Sequence, residues 1–316
     1  MNNLTIYKNF VSKAKSNQGS YFRENLRTEN FLILASSNKI QTNYFKNNDG
    51  AYSFKYNFTG KEFYDFSNKH LATMSDRFLL TNPDSRYSSY IDEEKKVNTL
   101  YLFFSTKEIQ SLYHSLITNE EKLLDTPNGG IAELHFYEKL YELTPEINLL
   151  LKEIVKNTLD VDAFCKIEHQ IYLLKQNLII SQHDVIEKQQ NIKSTKVSTK
   201  QEVFKRIQIA KDYIDSYFDK PLSNKELANI ACMCEHHFLR RFKSIFNVTP
   251  YQYLSNRRIE QAKILLVKEH NSIGEISLSL GFDNFTSFNR SFKKNVGCSP
   301  TDFKSNNNYK SFNLAV

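Results

Sequence analysis

Hydrophobic and polar positions alternate with a period of two along the first third of the chain. In residues 51–58 the sequence reads AYSFKYNF, which puts its aromatic side chains on one side of an extended backbone. Similar short runs cover residues 31–35, 62–66, 78–81 and 99–104. Turn-forming segments such as NNDG, TG and NPD separate these runs. The pattern predicts a small β-barrel or sandwich over residues 1–105.

The apolar spacing changes to that of helices after the last of these strands. Residues 106–124 carry apolar side chains every three or four positions, which predicts an amphipathic helix. Thr144 followed by Pro145 is typical of the N-terminus of another helix, because threonine caps the first turn and proline fits its first position.

A longer helix is predicted over residues 160–189, where it would reach roughly 45 Å at 1.5 Å per residue. Covering a small barrel does not require that length. We therefore expect the helical segment 106–187 to form a homodimer, with Ile171, Leu174 and Leu178 at the contact. The alternative is a helical layer that packs on its own barrel.

A polar segment and a change of charge divide the chain in two. Residues 188–201 read KQQNIKSTKVSTKQ and are predicted to be a linker. Residues 1–199 carry 24 basic and 24 acidic side chains, whereas residues 200–316 carry 18 basic and 11 acidic ones. A basic domain over 202–305, followed by a tail at 306–316, suggests nucleic acid or an anionic membrane surface as partner. A solvated basic face is the alternative.

Composition excludes several classes of protein. The chain has 316 residues, of which 40% are hydrophobic, and this argues against wholesale disorder. No apolar run is long enough for a transmembrane helix, and the first residues lack the apolar core of a secretory signal. The four cysteines are few and unevenly spaced, unlike a disulfide framework. We therefore expect a cytoplasmic protein with no membrane partner.

The last hundred residues contain an internal repeat. Arg240-x-Phe242-Lys243 is followed by Pro250, and the same pattern recurs fifty residues later from Arg290 to Pro300. Each copy follows an apolar helix and a short break, so two helix-turn-helix units are the simplest interpretation. The residues between the copies, 251–266, contain no Gly or Pro and predict one continuous helix.

These residues resemble the C-terminal domain of AraC/XylS-type transcription regulators, in which a connector helix joins two helix-turn-helix units. The similarity spans about residues 203–304. It includes Thr249-Pro250-x-x-Tyr253, Arg257-Arg258-Ile259, Gly281-Phe282 and Gly297-Cys298-Ser299-Pro300. Cys232 departs from the pattern, because a glycine or another small residue is common there. The resemblance implies a dimeric, sequence-specific regulator that binds double-stranded DNA, with RNA polymerase as a further partner.

The resemblance also implies that the second helix of each unit enters the major groove of DNA. The candidates for base contacts are His236, Leu239, Arg240, Phe285, Thr286, Asn289 and Arg290. The candidates for phosphate contacts, or else solvated charges, are Arg241, Lys243, Lys293 and Lys294. Arg240 and Arg290 occupy the same repeat position, so binding to a phosphate or to an acidic neighbour is the alternative for either of them.

The first part of the chain looks like the sensory domain of the same family, a cupin-like barrel followed by a helical dimerisation pair. The whole chain would then be an α+β multidomain protein with an all-α C-terminal domain. The aromatic strand is predicted either to line a pocket for a small-molecule effector or to fill the core. Its residues are Tyr52, Phe54, Tyr56 and Phe58. Few cationic positions fall inside the barrel, which favours an apolar or neutral effector over a sugar acid.

We expect neither an enzyme nor a bound metal or cofactor. A metal-dependent cupin enzyme needs several histidines in the barrel, and the predicted barrel contains His70 alone. His236 and His237 point about 100° apart on a helix, with no cluster to complete a metal site. A DNA-repair protein with the same module would need a cysteine zinc cluster and a reactive cysteine after a proline, and neither motif is present. An effector-independent regulator, or a scaffold whose repeat binds protein rather than DNA, would also be compatible with the sequence.

Overall fold

The computed structural model describes residues 4–8, 30–46, 51–117, 133–190, 197–268 and 271–305. The chain divides into two compact units, an N-terminal unit of residues 1–190 and a C-terminal unit of residues 191–316. Among the described helices, none combines the length and the apolar character needed to cross a membrane.

The N-terminal unit is a sheet followed by helices. Its described strands are β1 Leu4–Lys8, β2 Asn30–Lys46, β3 Tyr52–Thr59, β4 Glu62–Phe66, β5 Lys69–Thr73, β6 Arg77–Thr81, β7 Arg86–Phe104 and β8 Leu140–Glu142. Its described helices are α1 Thr106–Ile117, α2 Pro145–Asn157 and α3 Phe164–Gln190. A short 3₁₀ turn, Val161–Ala163, leads into α3.

Strand β7 belongs to two branches of one sheet. It pairs antiparallel with β2 along most of its length, while its last residues also pair with β3 and its first residues with β4. Strands β6 and β8 extend the β3 branch, β5 extends the β4 branch, and β1 lies parallel to β2. The pairings among the described strands do not close the sheet into a ring, so the closed cupin-like barrel remains a prediction.

The strands predicted from alternation are confirmed, because the predicted runs lie within β2, β3, β4, β6 or β7, except that Ala51 precedes β3 by one residue. The segment 106–187 is not wholly helical, however. Leu140 and Tyr141 belong to β8, where Tyr141 pairs with Phe78 of β6 and stacks on its ring at 5.4 Å. Three residues in an extended segment are too few for an alternation pattern to predict.

The predicted effector-pocket residues fill a core. Tyr52, Phe54 and Tyr56 are 1%, 0% and 3% exposed and share one face of β3. The Phe54 ring lies 4.8 Å from that of Phe78, and the half-buried Phe58 packs edge-on against Tyr56 at 4.9 Å. This packing matches the filled-core alternative on that face of the strand.

The predicted dimer contact lies inside the protomer, which corrects the sequence interpretation. Ile171, Leu174 and Leu178 are 2%, 0% and 0% exposed, and their helix α3 packs against α1 and α2. The apolar stripe therefore covers the chain's own core, which was the alternative prediction. Among the side chains of α3 that the structure describes, Tyr172 and Ile180 are apolar and exposed, at 46% and 58%.

The predicted N-cap of α2 is confirmed, since the Thr144 side chain accepts a hydrogen bond from the amide of Ile147 at 3.3 Å and Pro145 starts the helix. Residues 118–124 of the predicted first helix lie outside the described part of the chain. The predicted linker 188–201 is helical at both ends, because α3 continues to Gln190 and the next helix starts at residue 197.

The described part of the C-terminal unit is helical. Its helices are α4 Val197–Tyr217, α5 Asn224–Ile230, α6 Glu235–Phe246, α7 Pro250–Lys268, α8 Ile273–Ser279 and α9 Phe285–Val296, with a last turn at 300–305. Helix α7 is the predicted continuous connector. Its 19 residues correspond to about 28 Å at 1.5 Å per residue.

Candidate nucleic-acid interface

Helices α5 and α6 form the first helix-turn-helix unit. The Ser223 hydroxyl caps α5 by accepting a hydrogen bond from the amide of Glu226 at 3.1 Å. The turn between the helices passes through Cys232, whose φ of +50° is left-handed. Phe238 and Phe242 of α6 are both 0% exposed, so these two rings anchor the second helix.

Helices α8 and α9 repeat this construction. Ser272 and Glu275 form a capping box at the start of α8, and Asn284 caps α9 by accepting from the amide of Ser287 at 2.8 Å. The turn passes through Gly281 at a φ of +77°. A Cβ at this position would lie 2.5 Å from the carbonyl oxygen of Asp219, so only glycine fits.

Helices α6 and α9 present matching faces. His236 and Thr286 are exposed at equivalent positions, and so are Arg240 and Arg290. Neither arginine forms an ion pair or a hydrogen bond with the described residues, which removes the acidic-neighbour alternative there. Phe285, at the start of α9, is 46% exposed. Each unit therefore offers one outward helix with a free guanidinium near its middle.

Two of the candidate base contacts are less accessible. Leu239 and Asn289 occupy equivalent positions and are only partly exposed. The amide oxygen of Asn289 is buried and has no hydrogen-bond partner among the described residues. This oxygen points into the protein, so the structure gives less support to Asn289 than to Arg290 as a base contact.

The candidate phosphate contacts also differ from one another. Lys243, Lys293 and Lys294 are exposed. Arg241 is half-buried, and its Nε donates to Nε2 of His237 at 2.9 Å. Burial, together with the neighbouring arginines, lowers the pKa of His237 and keeps its ring a neutral acceptor. Arg241 therefore has a structural partner that the sequence did not reveal.

Arginine side chains of the connector helix fix it to the rest of the unit. Arg258 donates from Nε to the carbonyl oxygen of Phe218 at 2.7 Å and from Nη2 to that of Lys220 at 3.0 Å. Its guanidinium also lies 5.4 Å from the ring of Phe282, next to the turn of the second unit. Arg258 thus joins the end of α4 to the second helix-turn-helix.

A buried carboxylate holds the other side of the connector. Asp215 of α4 is 0% exposed and accepts hydrogen bonds from Lys211 at 2.7 Å and from the Tyr253 hydroxyl at 2.8 Å. Arg257 approaches the same carboxylate at 3.4 Å. Sequence reasoning assigned no role to Asp215. The i,i+4 spacing of Lys211 and Asp215 was the available signal, but it does not distinguish a buried pair from an exposed one.

In the described part of the chain, no group of three His, Cys, Asp or Glu side chains is arranged to hold a metal ion. A family model for a helix-turn-helix domain matches residues 227–306. The match covers α6, α7, α8 and α9 together with most of α5.

Known relatives match the same part of the chain. The Probable transcriptional regulator LumQ of Photobacterium leiognathi is 30% identical over 93 residues, which are 29% of this chain and 38% of that protein. The Bifunctional transcriptional activator/DNA repair enzyme AdaA of Bacillus subtilis is 32% identical over 98 residues, which are 31% of this chain and 46% of that protein. The chain thus spans less than half the length of either relative.

Among solved structures, the C-terminal domain of AraT, a response regulator from Geobacillus stearothermophilus, is 25% identical. It covers 32% of this chain and 84% of its own, with a TM-score of 0.31. The family match and the relatives, together with the duplicated units and their connector helix, identify the C-terminal part of this chain as a helix-turn-helix domain of the AraC/XylS type.

Proposed function

We propose that the protein is a sequence-specific DNA-binding transcription regulator. The observation that carries the proposal is the equivalence of α6 and α9, which present exposed Arg240 and Arg290 at the same position of two helix-turn-helix units. These units lie in the part of the chain that holds the whole excess of positive charge. The regulator names of LumQ and AdaA support the same function.

The length of the connector helix α7 determines the distance between the two helix-turn-helix units. Its length of about 28 Å is comparable with the ~34 Å of one turn of DNA, so the two units suit successive major-groove windows on one face of a duplex. Asp215 and Arg258 hold the connector rigidly, which preserves this spacing. One chain would then read two short sequence elements about one helical turn apart.

The exposed side chains fall into two groups, those suited to contact bases and those suited to bind phosphates. Arg240 and Arg290 suit guanine, whose O6 and N7 accept two hydrogen bonds from one guanidinium. Phe285 and the methyl group of Thr286 suit thymine methyl groups. The exposed lysines, including Lys294, would bind phosphates and add affinity without sequence preference.

Substitution of Arg290 and Lys294 tests this division. A binding site is first selected from random duplexes with the full chain, and affinities are then measured by fluorescence anisotropy on that site and on a scrambled control. Arg290→Ala should weaken the selected site by about 1–3 kcal/mol and leave the scrambled duplex nearly unchanged. Lys294→Ala should weaken both duplexes alike and reduce the salt slope by about one unit.

Equal losses on the two duplexes for Arg290→Ala would show that Arg290 is a phosphate anchor. The base-reading role in the second unit would then move to Phe285 and Thr286. Failure of the unmodified protein to bind any duplex at low salt would refute the proposed function and favour a protein-binding scaffold. All comparisons need one ionic strength, because salt alone moves such affinities by orders of magnitude.

The proposal includes a homodimer formed by the N-terminal unit. Helix α3 has 27 residues and exposes Tyr172 and Ile180, and α2 exposes Leu149 at 59%. Aromatic and large aliphatic side chains of this kind are typical of subunit contacts. The second copy would cover these outward side chains rather than the buried stripe of Leu174.

The proposal also includes a small-molecule effector bound by a cupin-like N-terminal domain, a cytoplasmic location and contact with RNA polymerase at the promoter. The sheet supports an effector domain, because the buried Lys55 of β3 lies near rings from β4 and from both ends of β7. The alternative is an effector-independent regulator whose N-terminal domain serves dimerisation or protein partners alone. An effector that changes DNA affinity would separate the two.

A further inference from the structure

The second face of β3 is polar and buried. Ser53, Lys55 and Asn57 alternate with the aromatic side chains of the strand and are 1%, 2% and 0% exposed. Ser53 bonds to Thr81, and Asn57 donates to the Thr99 hydroxyl at 3.1 Å, so both have partners. Lys55 differs, because its cationic end enters the interior between the two branches of the sheet.

Four aromatic rings surround the ammonium nitrogen of Lys55. The ring centroids lie 5.7 Å away for Tyr64, 4.8 Å for Tyr87, 5.7 Å for Tyr101 and 5.3 Å for Phe103. Tyr64 belongs to β4 and Tyr87 to the start of β7, while Tyr101 and Phe103 come from the end of β7. Among the described residues, no hydrogen-bond acceptor reaches this ammonium group.

A carboxylate shares the same interior without forming an ion pair with Lys55. Glu62 is 1% exposed and accepts a hydrogen bond from the Tyr101 hydroxyl at 2.7 Å. The Tyr64 hydroxyl lies beside Glu62 and is also buried, but it makes no hydrogen bond of ordinary geometry. Burial raises the pKa of Glu62 and lowers that of Lys55 to about 8.

Such a cluster costs free energy unless something completes it. A buried polar group without a partner lowers stability, and a buried charge without one lowers it more. Cation–π contacts offset part of this for Lys55, yet aromatic rings provide no oxygen acceptor. Each buried polar group without a partner requires an explanation, and a bound ligand that supplies the missing acceptor would provide one here.

We propose that Lys55 and Glu62 are the polar anchors of a binding site for a small hydroxylated carboxylate. The ligand's carboxylate would accept from Lys55, and a hydroxyl group would donate to a remaining lone pair of the Glu62 carboxylate, beside the hydroxyl groups of Tyr101, Tyr64 and Ser89. The rings of Tyr64, Tyr87 and Phe103 would pack on the C–H groups between them. This inference rests on the proposed regulator function, since it names that regulator's effector class.

The inference reverses the effector expected from the sequence. An apolar or neutral molecule was favoured because few cationic positions fall inside the predicted barrel. Lys55 is such a position, and a neutral molecule would leave its charge unpaired. An unsubstituted fatty acid would satisfy Lys55 but would place carbon against Glu62. The site therefore selects ligands that carry both groups.

Two matched sets of probes test the ligand class on the full chain. The first set is gluconate, sorbitol and hexanoate, which share six carbons, and the second is lactate, propane-1,2-diol and propionate, which share three. Binding is followed by calorimetry and by tyrosine fluorescence, which is usable because the chain has no tryptophan. At least one hydroxy acid should bind at least tenfold more tightly than both of its matched probes. Equal binding within each set, or no binding of either hydroxy acid, overturns the proposal.

Variants assign the binding to these residues. Lys55→Met keeps the side-chain length and removes the charge, so it should abolish binding of the hydroxy acid. Tyr101→Phe keeps the ring but removes the hydrogen bond to Glu62, and it should weaken binding several-fold while the chain stays folded. Lys175→Met is the control, because Lys175 is also buried but pairs with Glu108 at 2.7 Å outside this cluster. Unchanged binding in both Lys55→Met and Tyr101→Phe refutes the site.

DNA binding separates this inference from the proposed function. The unmodified protein and Lys55→Met should bind the selected duplex equally well without ligand, and the hydroxy acid should change the affinity of the unmodified protein alone. A protein that binds the duplex but shows no response to any probe refutes the effector class and keeps the regulator. A protein that binds no duplex refutes the regulator whatever the probes do.

Discussion

Removal of the Asp215 carboxylate should destabilise the DNA-binding domain more than any exposed charge change on the same helix. Asp215 is 0% exposed, and the side chains of Lys211 and Arg257 beside it are 10% and 1% exposed. Asp215→Ala leaves these two cations buried without the carboxylate. Breaking a buried pair in this way costs about 3–5 kcal/mol.

The structure provides a matched control for this magnitude. Glu202 and Arg206 form an ion pair of the same i,i+4 spacing on α4, with N···O 2.7 Å as for Lys211 and Asp215. Their side chains are 53% and 42% exposed, so solvent screens the attraction. Glu202→Ala should therefore cost several-fold less than Asp215→Ala. The two substitutions differ in burial and share spacing, distance and helix.

Thermal unfolding of the full chain, followed by circular dichroism and by loss of duplex binding, measures both effects. At about 4–8 °C per kcal/mol for a domain of this size, Asp215→Ala should lower the melting temperature of the DNA-binding unit by about 12 °C or more. Lys211→Met added to Asp215→Ala should restore part of the loss, because it removes one of the two buried cations next to the missing carboxylate. Similar losses for Asp215→Ala and Glu202→Ala would show that burial of the carboxylate is not the cause.

Other expected outcomes follow from single features. Cys232→Gly should raise the free energy of unfolding by about 1 kcal/mol, because Cys232 has a left-handed φ of +50°. Gly281→Ala should lower it, since the added Cβ would lie 2.5 Å from a backbone oxygen. Thermal unfolding of the two variants compares these effects. Ile180→Glu should give a folded monomer in sedimentation, because it places a charge at the proposed subunit contact, and a variant that stays dimeric would show that the contact lies elsewhere. Leu174→Ala should lower the free energy of unfolding by about 2–5 kcal/mol, because Leu174 is buried within the protomer. The pKa of Lys55 is about 8 in the folded chain, below its usual value of 10.5. Between pH 8 and pH 10.5 the unfolded chain therefore binds more protons than the folded chain, so the free energy of unfolding rises with pH. Stability against urea should rise from pH 8 to pH 9.5, and Lys55→Met should flatten that rise.

Most of the DNA-binding domain could be predicted from local signals in the amino-acid sequence. The helices of the two helix-turn-helix units are short, with 7 or 12 residues, and their limits depend on neighbouring residues, such as Ser272 with Glu275 at the start of α8 and Gly281 in the turn. The repeat added an independent constraint, because Arg240 and Arg290 had to occupy equivalent places in any fold that uses both copies. Local signals suffice when the contacts that fix a structure are close together in the chain.

The contacts made by the predicted faces could not be predicted from the sequence, because they depend on the tertiary fold. Alternation in β3 correctly predicted two faces, but it could not show that both are buried or that Lys55 meets rings from β4 and both ends of β7. The periodicity of α3 likewise predicted the stripe of Leu174 without showing that α1 and α2 cover it. Periodicity reports that a side chain is apolar and on which side it lies. Its partner depends on strands and helices distant in the chain, whose arrangement follows from packing the whole interior.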